Sequence, residues 1–310
     1  MRVRSLFAVL AVLLFLLVAC GGLPATVAIP APSASAHFPL VVTDDRGKQV
    51  TFAGPVQRIV SVAPSATEIV FAIGAGDRIV AVDDFSDFPA EAKALPKVGG
   101  FRASPERILS FAPDVVLAVP TGDLAPTLES QGQRVLVFDP PDIEAVYRNI
   151  AQIGAILGRD AGARDLVDRM RTRISAVADR AKTASARPRV LHEIDASDPT
   201  KIYVAGPGNF INAMIQTAGG TNVAASAGSQ YPQLSSEEIV RSDPEVIVLS
   251  DASFSASPAV VSARAGWSSV AAVRNGRVYP IDPDIVSRAG PRLADGVEAY
   301  AKLLHPELFH

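Results

Sequence analysis

Ser104-Pro105-Glu106-Arg107-Ile108-Leu109-Ser110-Phe111-Ala112-Pro113-Asp114-Val115-Val116-Leu117 returns in outline as Ser235-Ser236-Glu237-Glu238-Ile239-Val240-Arg241-Ser242-Asp243-Pro244-Glu245-Val246-Ile247-Val248. Ser, Glu, Ile, Pro, an acid and Val recur without a gap at a separation of 131 residues, Glu106 to Glu237. Upstream, Ile59, Pro64, Ala75 and Gly76 answer to Ile202, Pro207, Ala218 and Gly219 at a separation of 143, Pro64 to Pro207. A period this long exceeds the few tens of residues of a solenoid repeat. It reads as two whole lobes of one design, the second with a shorter loop. Two alike lobes imply a cleft between them, where ligands commonly bind.

Working outward, Leu40–Phe52 alternates apolar and polar residues around Asp45-Arg46-Gly47, which predicts a hairpin. Arg58–Val62 reads as a strand, and Pro64-Ser65-Ala66-Thr67-Glu68 opens an amphipathic helix that Ser65 or Thr67 can cap, with an acid in its first turn. Gly74-Ala75-Gly76 stops that helix, and Arg78–Val82 forms the next strand. Helix 104–111, strand 114–119, helix 123–131 and strand 134–138 follow. Runs such as Val115–Val119 are apolar on both faces, as in a parallel sheet covered by helices. From Ile143 to Lys182 no strand pattern occurs. Val167, Met170, Ile174, Val177 and Ala181 form one stripe at helical spacing after a start at Asp160. Such a helix, about 1.5 Å per residue, is long enough to reach from lobe to lobe. Strands 189–194, 202–205, 246–250 and 278–281 and helices 208–218, 235–242 and 293–304 build the second lobe. The expected fold is α/β: two similar Rossmann-like lobes with parallel sheets, over 39–158 and 188–310, joined by one long backbone helix within 159–187.

Arg2 and Arg4 precede an apolar run from Leu6 to Val18, then Ala19-Cys20-Gly21. A basic start, a short apolar segment and a small-residue cut make a secretory signal over 1–20. The run is shorter than the roughly 20 residues of a spanning helix. Cys20, the one cysteine, stands where a bacterial lipobox (Leu-x-Ala-Cys) places its lipid-modified residue. The alternatives are an ordinary secretory signal with a coincident Cys, or a buried thiol. Residues 21–38, rich in Gly, Pro, Ala, Ser and Thr, suit a flexible tether.

Net charge is −3 and 48% of residues are hydrophobic, so a core is expected and nucleic acid is not a partner. There are four histidines; of these only His192, within His192-Glu193-Ile194-Asp195, is placed to hold a metal, at a strand end toward the cleft. Polar residues capping the strand are the favoured reading. No G-x-S-x-G, H-E-x-x-H or P-loop occurs, so no catalytic residue, resident metal or cofactor is expected. Loops at the carboxyl ends of the strands carry Phe85, Phe88, Phe101, Tyr203, Tyr231, Arg288 and Arg292. Flat apolar faces with a guanidinium suit a large, partly flat ligand; the same rings can instead pack the loop bases. Glu106 and Glu237 open equivalent helices. They can serve the helix dipoles, or grip paired cations on a symmetric partner.

The chain resembles the lipoprotein substrate-binding components of ABC importers, in the helical-backbone branch that serves cobalamin, haem and ferric siderophores, and within it the cobalamin-binding proteins. The matching stretches are Arg58–Glu68, Phe85–Pro89, Pro96–Phe101, Pro113–Leu117, Ala218–Asn222, Tyr231–Glu237 and Ser287–Arg292. The resemblance implies an extracytoplasmic monomer, lipid-anchored through Cys20 to the cell membrane, that carries a corrinoid to a permease dimer with its cytoplasmic ATPase. It implies permease-docking acids at Glu106 and Glu237, an aromatic ligand platform at Phe85, Phe101, Tyr203 and Tyr231, and a polar contact at Arg288. The chain departs from the cobalamin pattern at Phe101, Val119 and Tyr231, where that pattern has Trp, and at Ser287, where it has an acid. A ferric-siderophore or haem receptor of the same architecture is the alternative; Phe101 cannot ligate iron, which counts against haem and not against siderophores. A secreted hydrolase using His192, Glu193, Asp195 and a metal is the alternative from another class.

Overall fold

The computed structural model describes residues 37–309; the leader, Cys20, most of the tether and residue 310 lie outside the described residues. Strands β1 (Leu40–Thr43) and β2 (Gln49–Phe52) form the expected antiparallel hairpin. Its turn is closed by Gly47 at φ +81°, a conformation that costs a residue without Cβ little. The Asp44 carboxylate accepts from the Arg46, Lys48 and Val137 backbone N–H groups and so ties the hairpin to the first lobe.

The first lobe follows as β3 (Ile59–Val62), α1 (Pro64–Ala72), β4 (Ile79–Val82), α2 (Pro105–Ser110), β5 (Val115–Ala118), α3 (Leu124–Ser130) and β6 (Val135–Val137). Its four strands are all parallel in the order β4-β3-β5-β6. β3, β5 and β6 are buried throughout, which is why they read as unbroken apolar runs. The expected cap of α1 is not what forms. The N-cap is Ala63 with Pro64 following, and Thr67 bonds Ser61 and Ser86 inside the lobe.

Helix α4 (Ile143–Leu157) starts where Asp142 accepts from the Ala145 N–H at 2.7 Å and stops at Gly158, φ +60°. Helix α5 (Asp160–Ala181) has 22 residues. It buries Met170, Ile174, Val177 and Ala181 of the predicted stripe together with Ala163 and Leu166, while Val167 is half-buried. At its start a Cβ on Gly162 would lie 2.9 Å from the Ile73 carbonyl oxygen behind α1; at its end Ala181 is 3.2 Å from where a Cβ on Gly219 would stand. The helix therefore touches both lobes with its two ends.

The second lobe contains β7 (Arg189–Asp195), β8 (Lys201–Val204), α6 (Phe210–Thr217), β9 (Thr221–Asn222), β10 (Gln233–Ser235), α7 (Ser236–Ser242), β11 (Val246–Leu249), α8 (Pro258–Ser262), α9 (Ala271–Arg274), β12 (Val278–Pro280), α10 (Pro283–Val286) and α11 (Leu293–Leu304). β9, β7, β11 and β12 are parallel. β8 runs antiparallel to the far end of β7, and β10 antiparallel to β8. The expectation of a wholly parallel second sheet is corrected at this edge.

Register also corrects the upstream half of the repeat. β3 meets β5 with Ile59 opposite Val115, and β7 meets β11 with Val190 opposite Val246. Ile59 therefore corresponds to Val190, while Ile202 lies on the additional strand β8. The separation of 131 residues extends back to Arg58 and Arg189, which perform the same task. Arg58 donates to the Phe111 and Ala112 carbonyls behind α2, and its N–H donates to Asp114. Arg189 donates to the Asp243 carbonyl behind α7, and its N–H to Glu245. Ala112 at φ +46° and Asp243 at φ +43° are the two non-glycine residues of positive φ among those described.

The inner faces of both sheets share one apolar core running from Ile59 and Ile69 through Ile150, Ile153, Met170 and Ile174 to Met214, Val248 and Tyr300. Separate clusters fill the outer face of each sheet, around Ile108 and Leu128 in one and Ile239 and Trp267 in the other.

Candidate ligand cleft

Above that shared core the lobes leave a cavity of about 470 Å³. Ile69 of α1, Val119 beyond β5, Phe138 beyond β6 and Phe210 of α6 make its apolar wall. Asp139, Asn149, Gln230 and Tyr231 make a polar floor. The site thus lies outside the carboxyl ends of parallel strands, where α/β sheets bind ligands. Asp45 from the hairpin organises the floor: one of its oxygens, Oδ2, accepts from the Asp139 N–H at 2.7 Å and from Asn149 Nδ2 at 2.8 Å. Burial, then the Asp45 charge, raises the Asp139 carboxyl above its ordinary range. Burial, then Asp139, pushes the Tyr231 hydroxyl up to about 12.

The expected ligand residues divide. Tyr231 lines the cavity; Phe85, Phe101, Tyr203 and Arg288 do not. Phe85 and Phe101 pack against each other at the first-lobe rim, ring centroids 4.7 Å apart and planes 49° apart. Phe101 is 80% exposed. The Phe85 loop is shaped by Asp83, whose Oδ1 accepts from the Phe85 and Ser86 N–H groups. Tyr203 is partly exposed on β8, opposite Gln233 of β10. Arg288 is engaged within the protein: it donates to Glu68, to Asp87 at 2.9 Å and to the Phe85 carbonyl, and pairs with Asp284 at 2.7 Å. Glu68 also holds Arg292 at 3.0 and 2.7 Å, and the Arg292 guanidinium sits 4.3 Å from the centre of the Phe88 ring. Glu68, read as a first-turn acid, is in fact the buried centre of a clamp between lobes. Sequence reading missed Asp139 and Asn149. Asp139 directly follows the strand read over 134–138, so the carboxyl-end rule could have found it. It also missed Phe254, 67% exposed in the turn after β11.

Glu106 and Glu237 are exposed second residues of α2 and α7. Ser104 Oγ donates to Glu106 at 2.8 Å; a hydrogen bond from its own backbone N–H and then Ser104 hold this carboxyl below its usual range. Glu238, not Glu237, closes the capping box with Ser235. Glu237 has no hydrogen-bond or ion-pair partner among the described residues.

Residues 59–285 match the family described as periplasmic binding protein. This chain belongs to the periplasmic binding protein family. A Bacillus subtilis protein described as an uncharacterized ABC transporter substrate-binding lipoprotein is 35% identical over 278 residues, covering 88% of this chain and 87% of its own. A cobalamin-binding protein of Halobacterium salinarum is 31% identical over 280 residues, covering 86% and 74%. Among solved structures, the vitamin B12-binding protein of Vibrio cholerae superposes with a TM-score of 0.70 at 26% identity, covering 81% of this chain and 98% of that one. The haem-binding protein of Roseiflexus sp. RS-1 gives 0.70 at 27% identity, covering 80% and 99%.

As a periplasmic binding protein the chain is not an enzyme. His192 and Glu193 are adjacent on β7 and their side chains contact opposite faces of the sheet. His192 is sealed in the inner core with Nδ1 at 2.5 Å from the Tyr300 hydroxyl, and burial pushes it down to about 3. Glu193 forms a two-point pair with Arg264 at 2.6 and 2.8 Å on the outer side, the guanidinium lying 4.7 Å from the Trp267 ring centre. The expectation that this stretch faces the cleft is corrected, and the described residues contain no His, Cys, Asp and Glu group that could hold a metal.

Proposed function

We propose that this substrate-binding protein of the ABC-importer class captures a corrinoid between its lobes and presents it to a permease dimer driven by a cytoplasmic ATPase. A lipid on Cys20 would hold it at the outer face of the cell membrane. One observation carries the reading: a cavity walled by apolar side chains from both lobes, floored by neutral and acidic polar groups, with exposed phenyl rings at its rim. Such a site suits a large flat ligand with a polar edge. The names of the cobalamin-binding relatives support the choice of ligand. The likeness to a haem binder supports haem as the second reading.

Calorimetric titration of the detergent-solubilised full chain tests it. Cyanocobalamin should bind with micromolar or tighter Kd and outcompete haemin and a ferric hydroxamate; the reverse order would replace the corrinoid. Glu106 and Glu237, matched across the lobes and exposed, are proposed to meet cations of the two permease subunits. The double reversal Glu106→Lys, Glu237→Lys should reduce uptake by more than tenfold with ligand Kd unchanged. Undiminished uptake in the double variant would leave both acids as helix-terminal charges only.

A further inference from the structure

The floor of the cleft has a chemical bias that the aromatic rim does not share. Asp45 Oδ2 takes one of the two N–H donors of Asn149 Nδ2 and so fixes which end of the amide is nitrogen. The remaining Oδ1 can only accept, and it has no partner among the described residues. Asn149 is 2% exposed and lines the cavity, so a ligand N–H brought there would satisfy a polar atom that is otherwise buried unpaired. Beside it stands Asp139, a carboxyl backed by a second carboxyl, Asp45. None of the lining residues is Lys, Arg or His. The nearby guanidiniums of Arg288 and Arg292 are neutralised by Glu68, Asp87 and Asp284. Arg102 is exposed, next to Phe101 at the rim, and is not part of the cavity wall.

Resting on the corrinoid reading of this cleft, we infer that Asp139 and Asn149, both oriented by Asp45, form a subsite that reads carboxamide edges and rejects carboxylate edges. A carboxamide supplies N–H groups to Asn149 Oδ1 and to Asp139, and its carbonyl can accept from Gln230 or the Tyr231 hydroxyl. A carboxylate supplies no donor and would be desolvated against like charge, which is the repulsive half of specificity. The subsite concerns the periphery of the ligand and makes no demand on its metal.

Two corrinoids with the same ring test it: dicyanocobinamide, bearing carboxamide side chains, and dicyanocobyrinic acid, bearing carboxylates. Calorimetry on the full chain in detergent should show cobinamide favoured by about a hundredfold. Asp139→Asn should narrow that ratio about tenfold, by tightening the acid. Asn149→Leu, which keeps approximate size and loses the acceptor, should weaken cobinamide about tenfold and leave the acid nearly unmoved. Thermal midpoints identify any variant that fails to fold; Asp139→Glu and Asn149→Asp then serve in its place, the latter expected to weaken the acid further. If both corrinoids bind and neither position moves their ratio, the subsite is wrong and the corrinoid reading stands. If neither corrinoid binds wild type, the corrinoid reading itself falls and the subsite with it.

Discussion

The two lobes hold one feature in common and differ in another. Behind α2 and α7 the same arginine clasps the same backward turn, at Arg58 and Arg189, with a non-glycine residue forced to positive φ in each and an exposed acid at the far end of the helix. At the edge toward the cleft the likeness ends. The first sheet is wholly parallel; the second gains antiparallel β8 and β10, and Tyr203 and Tyr231 lie on or beside these added strands. The framework that presents the acids is duplicated, and the edge toward the cleft is individual to each lobe. Such a division suits the proposed pairing of a two-fold partner with an unsymmetrical ligand.

Breaking the junction between lobes should have the largest effect. Glu68→Ala leaves Arg288 and Arg292 with less than their full complement of carboxylates in a partly buried place. The expected loss is about 3 kcal/mol in denaturant unfolding, and a loss below about 1 kcal/mol would show the clamp to be incidental. The second test uses a position where the lobes disagree. By register His192 opposite Val248 corresponds to Ser61 opposite Leu117. His192 titrates at about 3 when folded and near 6.5 when unfolded. Between those values only the unfolded chain takes up the proton, so stability falls as pH drops below about 6.5, by about 1.4 kcal/mol per unit at most. His192→Ser, which copies the first lobe, should flatten that slope; an unchanged slope assigns it to other groups. The smallest effect concerns the shared clasp. Arg58→Ala and Arg189→Ala should each cost about 1 kcal/mol, and equally, by the same denaturant measurement. A clear inequality would mean that the two clasps only look alike.

Much of this was legible in advance, for reasons visible residue by residue. Gapless recurrence of Glu106, Pro113 and Val115 marks a shared helix–turn–strand unit, because each residue type answers a local backbone need. The stripe from Met170 to Ala181 marks a helix buried on one side. Strand direction was less accessible: β8 is a four-residue stretch with alternating burial, and nothing in such a short segment says which way its neighbour runs. Matching Ile202 to Ile59 therefore paired an added strand with a central one. Glu68 was misread because its partners, Arg288 and Arg292, are more than two hundred residues away, beyond any local pattern. The acceptor at Asn149 was hidden for the same reason: its orientation depends on Asp45, more than a hundred residues away.

One apolar core lies under both halves and the rod between them, so if the two part each half keeps only the cluster on its outer face. Melting should be a single event with equal van't Hoff and calorimetric enthalpies, and acid that charges His192 should bring down the distant hairpin along with β7. Such all-or-none behaviour leaves proteases no half-open species to cut.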